Sequence, residues 1–202
     1  MTNALQILFI AAFSYLLGAV PFGLLFTRLF SNIDVRTIGS GNIGATNVLR
    51  AAGKKAAILT LFADILKGFF PVLIVNLLFH DDAATALSGI AAILGHNFPV
   101  YLKFKGGKGV ATSFGVVLAV APVTGLICVL VWMITAAVGK YSSLSALIAF
   151  ACYPLITFIT SSLHNSRPFA LLSLFAFGMI YYRHRENIKR LLQGTEPKIG
   201  KK

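Results

Sequence analysis

The sequence predicts an all-α membrane protein of seven transmembrane helices, with its N-terminus outside the cell and its C-terminus in the cytoplasm. Three observations predict this class. Of 202 residues, 57% are hydrophobic and only 12% are charged, and the mean hydropathy is +0.82, which is far too apolar for a soluble domain. The apolar runs are long and lack period-2 alternation, so their backbone polar groups are satisfied within helices rather than in a barrel. The basic residues collect in short segments between those runs, as they do on the cytoplasmic side of multi-pass proteins. A net charge of +12 therefore reflects orientation, and nucleic acid is not the expected partner.

The first span is read from Leu5 to Phe30. Its leader M-T-N-A-L-Q has no basic residue, and the apolar run that follows is too long for a cleaved signal, so it is expected to be retained. The second span covers Ala56 to Phe79. It carries Asp64 and Lys67 one helical turn apart, an intramembrane pair that either serves function or ties the helix to the polar loops. The third, Ala83 to Leu94, is short and ends in G-H-N-F-P at 95 to 99.

The fourth and fifth spans, Val110 to Val120 and Pro122 to Val138, are read as separate segments hinged at Ala121-Pro122. Merging them would carry Lys140 and the basic tail to the outer side, against the charge rule. The sixth and seventh are Ser143 to Ser161 and Pro168 to Tyr181. With Arg28, at the inner end of the first span, counted as cytoplasmic, this arrangement leaves only Lys67 deep within a span and Arg167 outside, every other Lys and Arg of the 18 being on the cytoplasmic side. Cys128 and Cys152 lie within apolar runs and are read as packing residues. No repeat or linker interrupts the chain, so residues 1–202 are read as a single domain.

Two polar segments carry the chemistry. G-S-G-N-I-G-A-T-N-V-L-R, from Gly39 to Arg50, sets Ser40, Asn42, Thr46, Asn47 and Arg50 among glycines. F-K-G-G-K-G-V-A-T, from Phe104 to Thr112, sets Lys105 and Lys108 among Gly106, Gly107 and Gly109, with Thr112 opening the next span. Glycine-freed N–H groups beside cationic side chains at a helix start suit phosphate oxygens. Residue 109 is Gly where a Walker A loop, G-x-x-x-x-G-K-[ST], requires Ser or Thr, so nucleotide hydrolysis is a poor inference. His96 and Asn97 end the third span at the same face. In the tail, His184 and Asn187 share a helical face among basic residues. Six acidic residues offer no inward carboxylate cluster for Mg²⁺, and neither H-E-x-x-H nor H-x-x-x-x-D occurs. A transporter for a phosphorylated metabolite is the rival class, but it would hold its polar groups near the midplane, whereas these gather at one face.

Together, S-G-N-I-G-A-T-N-V-L-R at 40 to 50, D-I-L-K-G at 64 to 68, G-H-N-F-P, the second glycine loop and the tail from Arg183 to Glu196 resemble the PlsY family. These are bacterial membrane enzymes that acylate glycerol 3-phosphate with acyl phosphate. The resemblance implies transfer of a fatty acyl group to the 1-hydroxyl of glycerol 3-phosphate, giving lysophosphatidic acid and phosphate as the first step of phospholipid synthesis. It implies a multi-pass protein of the bacterial cytoplasmic (inner) membrane. Its partners would be glycerol 3-phosphate, acyl phosphate and membrane lipid, with no cofactor, no metal and no obligate protein partner.

In that chemistry Ser40 and Arg50 are expected to grip one phosphate and Lys108 with Gly106, Gly107 and Gly109 the other, and the two could be exchanged. Lys105, His96, Asn97 and Thr112 complete the expected binding set, and Asn42, Thr46 or Asn47 would donate to the reacting carbonyl oxygen. His184, oriented by Asn187, or a substrate phosphate oxygen would take the hydroxyl proton. Ser40 as a covalent nucleophile is disfavoured, because the donor is already activated.

Overall fold

The computed structural model describes residues 3–161 and 167–200. Among these, helices α1 (Ala4–Ala19), α2 (Phe22–Ser31), α3 (Ala45–Phe79), α4 (Asp82–Asn97), α5 (Val110–Val120), α6 (Pro122–Gly139), α7 (Ser142–Ser161), α8 (Arg167–Arg183) and α9 (Arg185–Leu192) follow in order, with short 3₁₀ turns at Val35–Thr37 and Val100–Leu102. Among the described residues, five helical stretches are long and apolar enough to cross a bilayer: Ala4–Ser31, Ala45–Phe79, Asp82–Leu102, Pro122–Gly139 and Ser142–Thr160. Helices α5 and α8, of 11 and 17 residues, lie outside those five stretches but pack in the same bundle. The protein is thus all-helical and integral to the membrane.

Several boundaries differ from those read in the sequence. The first apolar run is two helices, because Pro21 (φ −89°, ψ 69°) cannot continue α1. The freed Val20 carbonyl accepts a 2.8 Å hydrogen bond from Lys67 Nζ. Helix α3 begins at Ala45 rather than Ala56, since Val48, Ala56 and Ala57 pack with Leu24, Val35 and Ile43 in a small core of their own. The short first limb of α3 turns into the long one at Gly53 (φ 79°, ψ −174°), a conformation that favours glycine. Ala121 (φ −145°, ψ 83°) breaks α5 from α6. Leu118 lies against Gly125, so α6 folds back along α5 and the two are separate segments, as the charge distribution implied. The tail adds α9, whose Ile188 and Leu191 join the main core.

That core is built from Val72, Ile93, Phe114, Phe150, Tyr153, Leu172 and Ile180. Apolar side chains also cover the outside: Leu8, Leu78, Val138 and Phe158 are 67%, 70%, 81% and 79% exposed, which suits contact with lipid tails. Helices approach closely where a side chain is missing, as at Gly18 against the Ala92 carbonyl. Buried Ser14 and Ser88 bond across α1 and α4 at 2.8 Å. Contacts between the start of α3 and the start of α7, the end of α4 and the start of α5, and the end of α8 and the second glycine loop gather those termini at one end of the bundle.

Candidate active site

The first glycine segment is shaped around Asn47. Its Nδ2 donates to the carbonyls of Val35, Ile38 and Asn42 at 3.0, 2.9 and 2.9 Å, and its Oδ1 accepts from the Ser40 N–H at 3.1 Å. The loop curls around this amide. Gly39 (φ 56°) lies so close that a Cβ there would meet Asn47 Oδ1 at 2.5 Å. Asn42 Oδ1 accepts from the Gly44 N–H at 2.9 Å, a side-chain turn that leads the chain into Gly44, the residue before α3. Thr46 Oγ1 pairs with Ser142 Oγ at 3.2 Å. With Asn42, Thr46 and Asn47 engaged in building the loop, the groups left without a protein partner among the described residues are the exposed Ser40 hydroxyl and the half-buried Arg50 guanidinium.

The second loop is moulded on G-H-N-F-P. A Cβ on Gly106 would run into the His96 carbonyl and Pro99, one on Gly107 would run into His96 Nε2, and one on Gly109 (φ 82°) would press on the Asn97 amide. The Gly107 N–H donates to the His96 carbonyl at 3.1 Å, and His96 Nδ1 pairs with Thr112 Oγ1 at 3.0 Å. His96, Asn97 and Thr112 are buried and act as the floor of the loop. Lys105 is exposed, and its N–H is bonded to the Leu102 carbonyl at 3.1 Å. The start of α5 leaves the N–H groups of Lys108, Gly109, Val110 and Ala111 without a protein acceptor among the described residues, the usual condition of a helix N-terminus and a favourable one for an anion.

The tail closes on this loop. Lys108 Nζ donates to Asn187 Oδ1 at 2.6 Å, and Asn187 Nδ2 donates to Glu196 Oε1 at 2.6 Å. Glu196 also accepts from Ser143 Oγ at 2.6 Å and from Arg190 Nε at 2.8 Å. This line of hydrogen bonds fixes the Asn187 amide with its oxygen toward the lysine. Burial pushes the Lys108 ammonium down to about 8. Glu196 opposes that shift, while Arg190, Arg183 and Arg50 reinforce it, so Arg50 lies within electrostatic reach of Lys108. Three segments distant in sequence thus share one field.

His184 is buried at the joint between α8 and α9. Its Nδ1 lies 2.8 Å from the Ile180 carbonyl, which can only accept, so Nδ1 carries the proton and Nε2 keeps a free lone pair. Burial, then the Lys108 charge, lowers this imidazole to about 4, and it is neutral at physiological pH. Burial alone would raise the Glu196 carboxyl, but hydrogen bonds from Ser143, Asn187 and Arg190 outweigh it and hold the group below its ordinary value.

Glu196, Ser143 and Arg183 are site-building residues that the sequence reading gave no role. An isolated acid within a basic tail was the available signal for Glu196. Ser143 had none, being one of three serines, with Ser142 and Ser145, at the start of α7.

The model of the family described as glycerol-3-phosphate acyltransferase matches residues 8–194. A glycerol-3-phosphate acyltransferase of Dinoroseobacter shibae is 52% identical over 189 residues, covering 94% of this chain and 91% of the relative. One from Jannaschia sp. is 52% identical over 202 residues, covering 99% and 96%. Crystal structures of PlsY, an integral membrane glycerol 3-phosphate acyltransferase, are also similar. The glycerol 3-phosphate form superposes with a TM-score of 0.91 at 43% identity, covering 96% of each chain. The lysophosphatidic acid form gives 0.88 at 42%, covering 96% of this chain and 95% of the other.

Proposed function

Since the chain belongs to the glycerol-3-phosphate acyltransferase family and is an integral membrane enzyme of that activity, making lysophosphatidic acid, we propose that its acyl donor is acyl phosphate and its acceptor the 1-hydroxyl of glycerol 3-phosphate. The hydroxyl oxygen bonds to the acyl carbon, the bond from that carbon to the phosphate oxygen breaks, and inorganic phosphate leaves. Both substrates are anions, so the main task is to hold two phosphates together. Arg50, Lys108 and the unpaired N–H groups from Lys108 to Ala111 supply the compensating charge and dipoles. Ser40 and Arg50 take the glycerol phosphate, and Lys108 with the second glycine loop takes the acyl phosphate. Asn47, His96, Asn97 and Thr112 shape those loops rather than touch substrate.

His184 turns a neutral Nε2 to the acceptor hydroxyl and orients it. The proton itself passes to a substrate phosphate oxygen, because a phosphate monoester with its second pKa near 6 is a stronger base than an imidazole lowered to about 4. Phosphate is also a good leaving group at neutral pH, so a strong general acid is dispensable.

Residues 1–202 form one transferase unit of seven spans, N-terminus outside, with both glycine loops and the tail at the cytoplasmic face of a bacterial inner membrane. The acyl chain can then lie in lipid while both phosphates meet the cationic loops.

One observation carries the proposal: Lys108, Asn187 and Arg50, from three separate segments, converge at one end of the bundle. The test is purified protein in a bilayer mimetic with acyl phosphate and glycerol 3-phosphate and no added metal. Phosphate and lysophosphatidate should appear in equal amounts, with no turnover when acyl-CoA replaces acyl phosphate. Turnover of acyl-CoA alone would overturn the donor assignment. Cysteines introduced at Ser40 and Lys105 should both be shielded from an impermeant thiol reagent applied outside intact cells. Labelling of either would overturn the topology.

A further inference from the structure

Arg183 closes α8 and is not one of the cations assigned to a phosphate, yet among the described residues it touches the second glycine loop more extensively than any other distant side chain. Its Nε donates to the Gly107 carbonyl at 2.9 Å and its Nη2 to the Gly106 carbonyl at 2.8 Å. Its guanidinium carbon stands 5.3 Å from the centre of the Phe98 ring, close enough for a cation–π contact. A fork of two donors meeting two successive carbonyls is a geometry that guanidinium provides and ammonium does not.

The consequence follows from peptide geometry. In a trans peptide the C=O and the next N–H point in opposite directions. Drawing the Gly106 carbonyl to Arg183 sends the Gly107 N–H the other way, to the His96 carbonyl at 3.1 Å. Drawing the Gly107 carbonyl to Arg183 turns the Lys108 N–H away from it, where it has no protein acceptor among the described residues. Without the fork, two adjacent glycine peptides would be free to flip and present carbonyl oxygens where an anion is to be held. Phe98 braces the guanidinium from the G-H-N-F-P segment, so the same motif that floors the loop also aims its clamp.

We propose that Arg183 is a positioning residue, which sets the amide orientation of the second glycine loop so that donors rather than acceptors face the phosphate. This rests on the reading that the loop grips a phosphorylated substrate. Arg183 acts behind the loop, through Gly106 and Gly107.

The experiment is steady-state kinetics of full-length Arg183→Gln and Arg183→Lys in bilayer mimetic, each substrate varied in turn, with Lys108→Met beside them and thermal unfolding recorded for all. Losing two charge-assisted bonds should raise KM for one phosphorylated substrate about tenfold or more in Arg183→Gln, with kcat per folded molecule far less affected. Arg183→Lys, retaining charge but not the fork, should recover only part of that loss. An Arg183→Gln that lowers kcat and Tm together while both KM values stay at wild type would overturn the proposal in favour of a purely structural role. So would full recovery by lysine, since charge alone would then suffice. If Lys108→Met leaves both KM values unchanged, it is the phosphate-loop reading that has failed. If Lys108→Met raises KM and Arg183→Gln does not, the positioning role alone falls.

Discussion

Asn187 Oδ1 accepts a 2.6 Å hydrogen bond from Lys108 Nζ, so the cation of the second glycine loop is held by a residue of the C-terminal helix. Because Asn187 is neutral, it orients the ammonium without cancelling its charge. Burial leaves that ammonium at about 8, and anion binding weakens as the pH rises through this value and the proton is lost. KM for the phosphate bound by Lys108 should therefore climb above pH 8, by about tenfold per unit at the limit, while remaining flat from pH 6 to 7.5. Glu196 raises the Lys108 value, so Glu196→Gln should move the rise to lower pH. A KM profile that is flat to pH 9.5 would remove Lys108 from the binding step.

Glu196 also gives stability a pH dependence of known sign. Its folded-state pKa lies below the ordinary 4.5, so the folded form binds its proton less readily than the unfolded chain. The stabilisation is complete above the unfolded value and is lost as pH falls below about 4.5 through the lower folded value. Thermal unfolding in detergent should show a steeper acid decline in wild type than in Glu196→Gln. Parallel curves would indicate that the carboxylate contributes nothing through its three partners.

The convergence behind these predictions was legible in the sequence. A bilayer reduces topology to a count of crossings, and the lengths of apolar runs and the sorting of Lys and Arg bring Arg50, Lys108 and Asn187 to one end. The use of each polar side chain was not legible. Asn47 and Arg50 sit in one motif, yet Asn47 is consumed by three loop carbonyls that only the folded turn brings together. The break at Val20-Pro21 leaves no mark in hydropathy, because both sides are apolar. The stretch at Ala45–Ala52 reads chiefly as loop, a helix starting near Asn42 being only the lesser alternative until Val48 packs with Leu24 and Ile43.

Gly107 lies against the His96 imidazole so closely that a Cβ would overlap Nε2. Gly107→Ala must therefore displace the loop or the ring, and kcat/KM should fall by about a hundredfold, the scale of a displacement near 1 Å at a reacting site. The double variant His96→Ala/Gly107→Ala removes the obstacle and should recover part of that loss despite deleting the bond to Thr112. A double variant no better than Gly107→Ala would show that space against the imidazole is not what the glycine supplies.

The neutral Nε2 of His184 supports orientation of the hydroxyl rather than acceptance of its proton. Removing it should lower kcat by about tenfold to a hundredfold. Where the substrate phosphate is the base, the acid limb of kcat lies near 6, the second phosphate pKa, because the rate falls as that oxygen becomes protonated. The limb should persist in His184→Ala at reduced amplitude. Its disappearance, whatever kcat remains, would transfer the proton to the imidazole.

The buried pair beneath the site separates stability from activity. Lys67 Nζ lies 2.7 Å from Asp64 Oδ1, each side chain only 3% exposed, and the same ammonium donates to the Val20 carbonyl at the α1–α2 break. Asp64 Oδ1 also stands 3.9 Å from His96 Nδ1 under the second loop, while α2, which begins just after that break, presents Gly23 to the Ile43 carbonyl of the first. Lys67→Met leaves a buried carboxylate unpaired and should cost about 3–5 kcal/mol, read as a lowered unfolding temperature in detergent. Asp64→Leu/Lys67→Met removes both charges and should restore most of that stability. Activity should not return with it, because the Val20 carbonyl still lacks its donor and α2 is no longer tied behind the first loop. Recovery of full kcat/KM together with stability would reduce the pair to a folding element with no bearing on the site.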